Sequence, residues 1–598
     1  MTGGHLTVRR ASAIGGSAVV AMLVGCMGTS DRGLSAGRAG ANVGGATHAT
    51  IAGGTALGGA GEWVTQGHDY AQSRYSNLAQ ITTETARNLK LAWSFSTGEL
   101  RGHEGAPIVV GNTMYLVTPF PNTAYAIDLN RPPTVKWRFQ PNTDPWAVGV
   151  ACCDVVIRGW SYDAGKLIYN LLDDRTIALD ANTGKLLWQT KLADVNEGIT
   201  MTMAPLIVKG KVFVGNSGGE MGARGWLTAL DENTGKILWR AYSTGADSDV
   251  KIGPRFKAFY AKDRGKDLGL TTWPPDGWKH GAGTVWGWIS YDPTLNLIYY
   301  GTSNPGPWNQ DQRPGDNKWT STIFARDPDT GEAVWADQLT PHDLWDYDAV
   351  NESILVDLPV NGTARKVMVH FDRNAFGYTI DRATGEILVA QPFSNLNWST
   401  GIDLRTGAPH VVESKKTHEG VTIQNICPPD IGGKDQQPAA FSPRTGLFYV
   451  PTNNECMDYT GIEASYIAGT PYWGARMTRH PGAGGNRGAF IAWDATTGKA
   501  VWSIPEKFLV YSGALATAGD VVFYGTVDGF FKALDARTGR ELWRFKTGSG
   551  VIGAPITYLG PDGKQYVAVL TGVGGAAGVD SHVDGYPSEG GELYVFSL

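Results

Sequence analysis

The sequence predicts an all-β protein assembled from one repeated unit, and three observations carry this. Charged residues are only 18% of the 598-residue chain, against ~25% in ordinary globular domains, while Gly reaches 79 and Trp and Tyr reach 21 and 23. That composition suits turn-dense aromatic sheets and excludes coiled coils, helical bundles and acidic disorder. The pattern Asp-x-x-Thr-Gly-x-x-x-Trp recurs at Asp180 to Trp188, Asp231 to Trp239, Asp327 to Trp335, Asp494 to Trp502 and Asp535 to Trp543, and a sixth copy from Asp381 lacks only the Trp. Between copies run strand-like segments such as Lys211-Val-Phe-Val-Gly and Asp520-Val-Val-Phe-Tyr-Gly-Thr, followed by turns. Asp and Thr-Gly make a tight polar turn between outer strands, and the Trp after it can wedge against the next unit. Trp93 and Trp137 extend the series upstream at spacings of 44 and 51 residues, and the intervals of 96 and 113 residues after Trp239 and Val389 hold a unit plus insertions. Counting Trp93, Trp137, Trp188, Trp239, Trp335, the Val389 position, Trp502 and Trp543 gives eight units: an eight-bladed β-propeller with Trp-docking repeats, one domain despite its length.

Along the chain, residues 1–26 read as an export signal. Arg9 and Arg10 precede an apolar stretch, Ala11 to Gly25, too short to span a bilayer, and Leu23-Val24-Gly25-Cys26 resembles a bacterial lipobox with Cys26 as the acylated residue. Ordinary signal cleavage with Cys26 incidental is the alternative. Residues 27–61, almost all Gly, Ala, Ser and Thr, read as a flexible tether. Residues 62–598 read as the propeller. A net charge of −6 offers no basic field for a phosphate backbone, which sets nucleic acid aside as a partner.

Export lets disulfides persist. Cys427 and Cys456 lie in strand-like sequence and read as a structural bridge. Cys152 and Cys153 are adjacent, and a bond between them would close a rigid eight-membered ring; two free buried thiols are the alternative. No Cys-x-x-Cys-His is present, so the chain carries no covalently held c-type haem. Gly215-Asn-Ser217-Gly-Gly219 fits a hydrolase nucleophile pattern but lacks a following helix, and Gly572-Val-Gly574-Gly575 lacks dinucleotide spacing; both read as turns. His342 has no partner at metal-ligand spacing.

Several strings are more specific than the repeat: Cys152-Cys153-Asp154, Gly283-Thr284-Val285-Trp286-Gly287, Gly301-Thr-Ser-Asn304-Pro-Gly-Pro-Trp308-Asn, Thr340-Pro-His-Asp-Leu-Trp-Asp346-Tyr-Asp348 and Ala516-Thr-Ala-Gly-Asp-Val-Val-Phe-Tyr-Gly-Thr526. From about Trp63 to Leu598 the chain resembles the pyrroloquinoline quinone (PQQ) dependent quinoprotein alcohol dehydrogenases, with most likeness to the large subunit of methanol dehydrogenases of the lanthanide-dependent branch. A different class, the lipid-anchored propeller scaffolds of outer-membrane assembly, shares the anchor and the Trp repeats but has no reason to carry these strings together.

The resemblance implies a planar quinone held between Trp286 and a Cys152–Cys153 disulfide, its carboxylates and oxygens met by Glu104, Arg158, Thr202, Ser217, Gly218, Gly219, Thr284, Arg373 and Asp435. It implies metal ligation by Glu220, Asn304, Asp346 and Asp348, an all-oxygen set that selects a hard cation, a lanthanide ion with Ca²⁺ as the alternative. Asp346 would act as general base and Arg373 would hold quinone oxygen. In isolation each of these residues would read as core, ion pair or solvated turn. Asp348 lies two residues beyond Asp346, so in an extended segment both carboxylates face one side. The implied activity is periplasmic oxidation of methanol or another small primary alcohol to the aldehyde, with electrons passed to a separate c-type cytochrome, and a calcium-type ethanol or alcohol dehydrogenase is the nearest variant. A lipid anchor and a homodimer are further expectations. The chain departs from the family pattern at Tyr511 and at Ala576-Ala577, where Trp is usual, and at Asp435, where calcium-type enzymes have Asn.

Overall fold

In the computed structural model, residues 49–54, 57–575 and 590–598 are described. The signal segment 1–26, its lipobox Cys26 and the first part of the tether lie outside the described residues, as do Ala576 and Ala577. Among the described residues, helices are single short turns, the longest being Trp146–Val150, and none is long and apolar enough to cross a membrane.

Eight sheets of four or five strands hold most of the strand residues, antiparallel except where Tyr75–Ser76 joins Leu515–Thr517 in parallel. All eight positions counted from the sequence fall in the outer strand of a different sheet: Trp137 in Val135–Phe139, Trp188 in Leu186–Lys191, Trp239 in Ile237–Tyr242, Trp335 in Ala333–Gln338, Val389 in Ile387–Pro392, Trp502 in Lys499–Glu506, Trp543 in Glu541–Lys546 and Trp93 in Lys90–Ser96. The long intervals hold insertions as well as a sheet. Short helical turns occupy 247–280, and two small sheets lie between residues 399 and 481.

The repeat explains how neighbouring sheets lock. Asp180 accepts from the Thr183 amide and hydroxyl, both at 2.8 Å, which fixes the turn. The indole of the preceding sheet then donates to the carbonyl next to the Asp: Trp137 to Ala181 at 2.9 Å, Trp188 to Glu232 at 2.9 Å, Trp335 to Arg382 at 3.2 Å and Trp502 to Ala536 at 3.2 Å. The indole lies flat on the turn glycine. A Cβ on Gly235 would stand 2.5 Å from Trp188, and one on Gly184 would stand 2.7 Å from Trp137, both at φ near +70°. The Thr-Gly pair is therefore a packing requirement as much as a turn signal. Where Val replaces Trp, Val389 and Gln391 pack against Gly498 instead.

The ring closes through its ends, because Lys90–Ser96 pairs with Glu592–Ser597 and supplies the outer strand of the last sheet. A second feature was not legible in the sequence. Residues 63–76 run along the first strands of successive sheets: Trp63 bridges Val109, Val64 accepts from Tyr162, Tyr70 accepts from Tyr291, Ala71 from Leu355, Ser73 from Phe441 and Arg74 from Ala516. The reading of 27–61 as tether also needs correction at its end. Thr50–Ile51 pairs with Asp357 and Val356 as a fifth strand, and Ala49 and Ala52 are buried, because even a small-residue segment can fill an open strand edge.

Antiparallel order sends two kinds of segment to one face of these sheets: the approach to each first strand and the turn between the second and third. The Asp-Thr-Gly turns, between third and fourth strands, lie on the other face. Every residue expected at the site belongs to the first face.

Candidate active site

Four successive loops bring one wall together. Glu104 precedes Ile108–Val110, and Cys152 to Arg158 precede Trp160–Asp163. Thr202 precedes Leu206–Val208, and Ser217 to Glu220 form the turn after Lys211–Gly215. The G-x-S-x-G pattern thus ends in a single 3-10 turn, Gly219–Met221, with no nucleophile helix. Arg158 is held in a buried fork: Nη2 pairs with Glu104 at 2.9 Å and Nη1 donates to the Thr202 hydroxyl at 2.7 Å, which in turn lies 2.9 Å from the Ser217 hydroxyl. Burial raises Glu104 to about 7 against the opposing pull of Arg158.

Cys152 and Cys153 are bonded, with Cα atoms 3.8 Å apart, and Cys427 is bonded to Cys456. The vicinal ring is tied down by Asp154, which accepts from the Gly102 and Gly575 amides at 3.2 Å each. The glycine run at 572–575, read as a turn, packs against Asp154 and Glu104 and so serves the site. Trp286 lines the same pocket as the vicinal ring, with the Arg158 and Arg373 guanidinium carbons 4.6 and 5.3 Å from its ring centre. The pocket is lined by Glu104, Cys152, Cys153, Arg158, Thr202, Ser217, Gly218, Glu220, Trp286, Arg373 and Asp435 of the expected set, and by Val156, Thr200 and Tyr511 besides.

The other expected residues lie behind that lining. Thr284 exchanges hydrogen bonds with Ser303, and Gly219 packs near both. Asp348 accepts from the Trp286 indole at 3.0 Å and from the Asn304 amide at 2.5 Å. Arg373, on the turn between Thr363–Phe371 and Phe376–Asp381, gathers three carboxylates: Asp346 at 3.1 Å, Asp348 at 3.5 Å and Asp435 at 2.7 Å. Asp346 and Asp348 do converge on one side, but not through an extended strand. Asp346 sits at φ +71°, and Asp343 accepts from the Trp345 and Tyr347 amides, so a side-chain-capped turn aims both groups inward.

Five carboxylates, those of Glu104, Glu220, Asp346, Asp348 and Asp435, thus face two guanidiniums. Burial first, and neighbouring charge second, push Asp348 up to about 7 and Asp346 well above its ordinary range, while Arg373 opposes both shifts. Burial also raises Glu220. Burial works against charge on Arg373, but Asp348, Asp435 and Asp346 override it and hold the guanidinium charged. One oxygen of Asp346, Oδ1, is buried without a hydrogen-bond partner among the described residues. The donor set is oxygen-only and short of positive charge, so it fits a hard multivalent cation. It is not a closed cage: among the described residues, no three His, Cys, Asp or Glu side chains come together as one, and Asp346 and Asp348 turn instead to Arg373.

Residues 63–391 and 504–567 match the family described as PQQ: glucose/ethanol/alcohol dehydrogenase, β-propeller domain. The chain belongs to this PQQ dehydrogenase family. It is 54% identical over 565 residues to a lanthanide-dependent methanol dehydrogenase of Methylacidiphilum fumariolicum, covering 90% of this chain and 92% of that one. It is 43% identical over 568 residues to subunit 1 of a methanol dehydrogenase [cytochrome c] of Methylobacterium organophilum, covering 90% and 91%. A solved structure of a europium-containing methanol dehydrogenase superposes with a TM-score of 0.89 at 53% identity, over 90% of this chain and 98% of that one.

Sequence reasoning about this PQQ dehydrogenase missed the supports of Asp435. Tyr511, noted only as a departure, donates to Asp435 Oδ2 while Asp435 Oδ1 takes Arg373, and burial followed by that carboxylate raises the phenol well above its ordinary range. Lys434, fully buried, pairs with Glu352 at 2.7 Å and donates to the Asp435 carbonyl at 3.2 Å. The glycine-flanked Asp430-Ile-Gly-Gly-Lys434-Asp435 string was the available signal.

Proposed function

We propose that this enzyme oxidises methanol or another small primary alcohol to the aldehyde in the periplasm, using PQQ and a lanthanide ion, with electrons leaving to a c-type cytochrome. The carrying observation is the partnerless, buried Asp346 Oδ1 beside Asp348 and Arg373, the last of which lines one pocket with Trp286 and the vicinal disulfide.

Trp286 and the Cys152–Cys153 ring line one pocket and offer flat, rigid faces that suit a planar cofactor. Arg158 and Arg373 present planar forks to its carboxylates and oxygens, and Thr202 and Ser217 add hydroxyl donors. Glu220, Asn304, Asp346 and Asp348 would hold the ion. When bound, the quinone supplies a hydride-accepting carbonyl and the ion a Lewis acid. Asp346 takes the alcohol hydroxyl proton, a role that its raised affinity for protons suits. Arg373 keeps that carboxylate in place through Nη1 and holds Asp435 with Nε and Nη2 at 2.9 and 2.7 Å.

Producing the protein with La³⁺ or Ce³⁺, and separately with Ca²⁺ alone, tests the reading. Dye reduction with methanol should require the rare earth, and purified protein should show quinone absorbance with one bound rare earth by elemental analysis. Full activity with calcium and no bound rare earth refutes it.

A further inference from the structure

The hairpin of Glu455–Gly461 and Ala475–Pro481 stands outside the eight main sheets, in a three-stranded sheet with Thr422–Ile426. The Cys427–Cys456 bond pins its base. Its connection, residues 462–474, packs at two places rather than hanging in solvent. At the first, the Tyr472 amide donates to the Glu220 carbonyl at 2.6 Å. Tyr466 covers Gly222, where a Cβ would stand 2.7 Å from the ring, and stacks on His280 at 3.5 Å. At the second, the Trp308 amide donates to the Trp473 carbonyl at 2.5 Å, and the two indoles stack at 5.9 Å and 15°. Gln312 and Ala464 exchange hydrogen bonds of 2.8 and 2.9 Å, and Asn309 donates to Ile462 at 3.1 Å.

The first anchor is the turn that carries Glu220. The second is the run that begins at Asn304. These two residues stand on loops of different sheets, and the same connection is bonded to both runs. We infer that residues 462–474 form a strap that sets the spacing of Glu220 and Asn304, with Trp473 and Tyr466 as positioning residues for the ion those two ligands share. The inference rests on the metal assignment proposed above. Its physical basis is that groups behind a metal ligand fix its orientation, and their loss typically costs 10–100-fold in affinity. The second disulfide then has a part in the site as well, since it holds the hairpin from which the strap is slung.

Trp473→Ala and Trp473→Phe in the full chain, loaded with quinone and Eu³⁺, test the strap. One readout is the rate of europium loss to a chelator, with the number of bound waters from luminescence lifetimes in H₂O and D₂O. The other is amide hydrogen exchange at residues 219–222 and 308. Trp473→Ala should lose the ion about tenfold or more faster, gain water on the ion and exchange faster at those amides, with an unchanged global unfolding midpoint, and Trp473→Phe should retain wild-type behaviour. An alanine variant that keeps its europium and its exchange pattern overturns the strap, as does a phenylalanine variant equally impaired, or faster exchange spread along the whole chain. If wild type itself holds no europium, the cofactor assignment fails, and the exchange at 219–222 still decides whether the connection clamps that turn.

Discussion

Acid should strip the ion from this site over a range set by its buried carboxylates. Asp348 is pushed up to about 7, chiefly by burial, and Asp346 is raised well above its ordinary range by the same cause. A carboxylate must lose its proton to ligate a cation, so affinity is full above that value and declines as pH falls through it. For one group with a pKa near 7, the deprotonated fraction changes about 25-fold between pH 7.5 and 5.5, and Asp346 steepens the slope in the same direction. The Asp348→Asn variant removes that proton and should both bind more weakly and show a shallower dependence. The assay is a europium luminescence titration of the quinone-loaded protein across that interval, at constant ionic strength. A wild-type affinity that changes less than about threefold, or a slope untouched by Asp348→Asn, refutes the placement of Asp348 among the ligands.

Three further outcomes follow from the same geometry. Asp346→Ala should fold normally and lose alcohol-dependent dye reduction by about 10²–10⁴-fold; substantial turnover in the variant removes Asp346 as the base. Reduction of Cys152–Cys153 should impair activity while leaving the unfolding midpoint nearly unchanged, because a two-residue loop scarcely constrains the unfolded chain; two free thiols in the active form contradict it. Gly235→Ala, at φ +70° with its new Cβ 2.5 Å from Trp188, should lower the unfolding midpoint by the equivalent of about 1–3 kcal/mol with specific activity unchanged in the surviving protein; an unaltered midpoint means the indole does not lock the sheets.

The outer strands were legible because their chemistry is local. Asp, Thr-Gly and Trp sit within nine residues of each other, and the turn and the indole dock both follow from that short string. The first row of the site was legible for a different reason: Cys152-Cys153, Thr284-x-Trp286 and Asp346-x-Asp348 keep their motif contexts even though the fold draws them from different sheets. What joins those strings was not legible. Asp348 meets Trp286 across 62 positions and Arg373 meets Asp435 across 62, and no sequence pattern announces either pair. Residues 63–76 were hidden in another way. Their contacts are backbone hydrogen bonds to many strands, which leave no periodic side-chain signature. The small-residue composition of 27–61 pointed to a tether throughout, yet an open strand edge accepts Thr50–Ile51 whatever their side chains.

Asp348 does more than add a negative charge. One of its oxygens takes the Trp286 indole N–H and the other takes the Asn304 amide, while Arg373 stands 3.5 Å from the first. The carboxylate therefore joins three things: the Trp286 indole, the loop that carries Asn304, and the guanidinium that holds Asp346. Charge repulsion alone would push Asp348 away from Asp346, whose hold on its proton it strengthens. The three donors keep it there, although burial still displaces the carboxylate to about 7. Under the proposed assignment a multivalent ion would find Asp348 already oriented by the indole and the amide, so less rotational freedom would be lost on binding. Under the proposed assignment the same preorganisation would tie ion to cofactor, because a metal held by the Asp348 oxygens would also act on the hydrogen bond from Trp286.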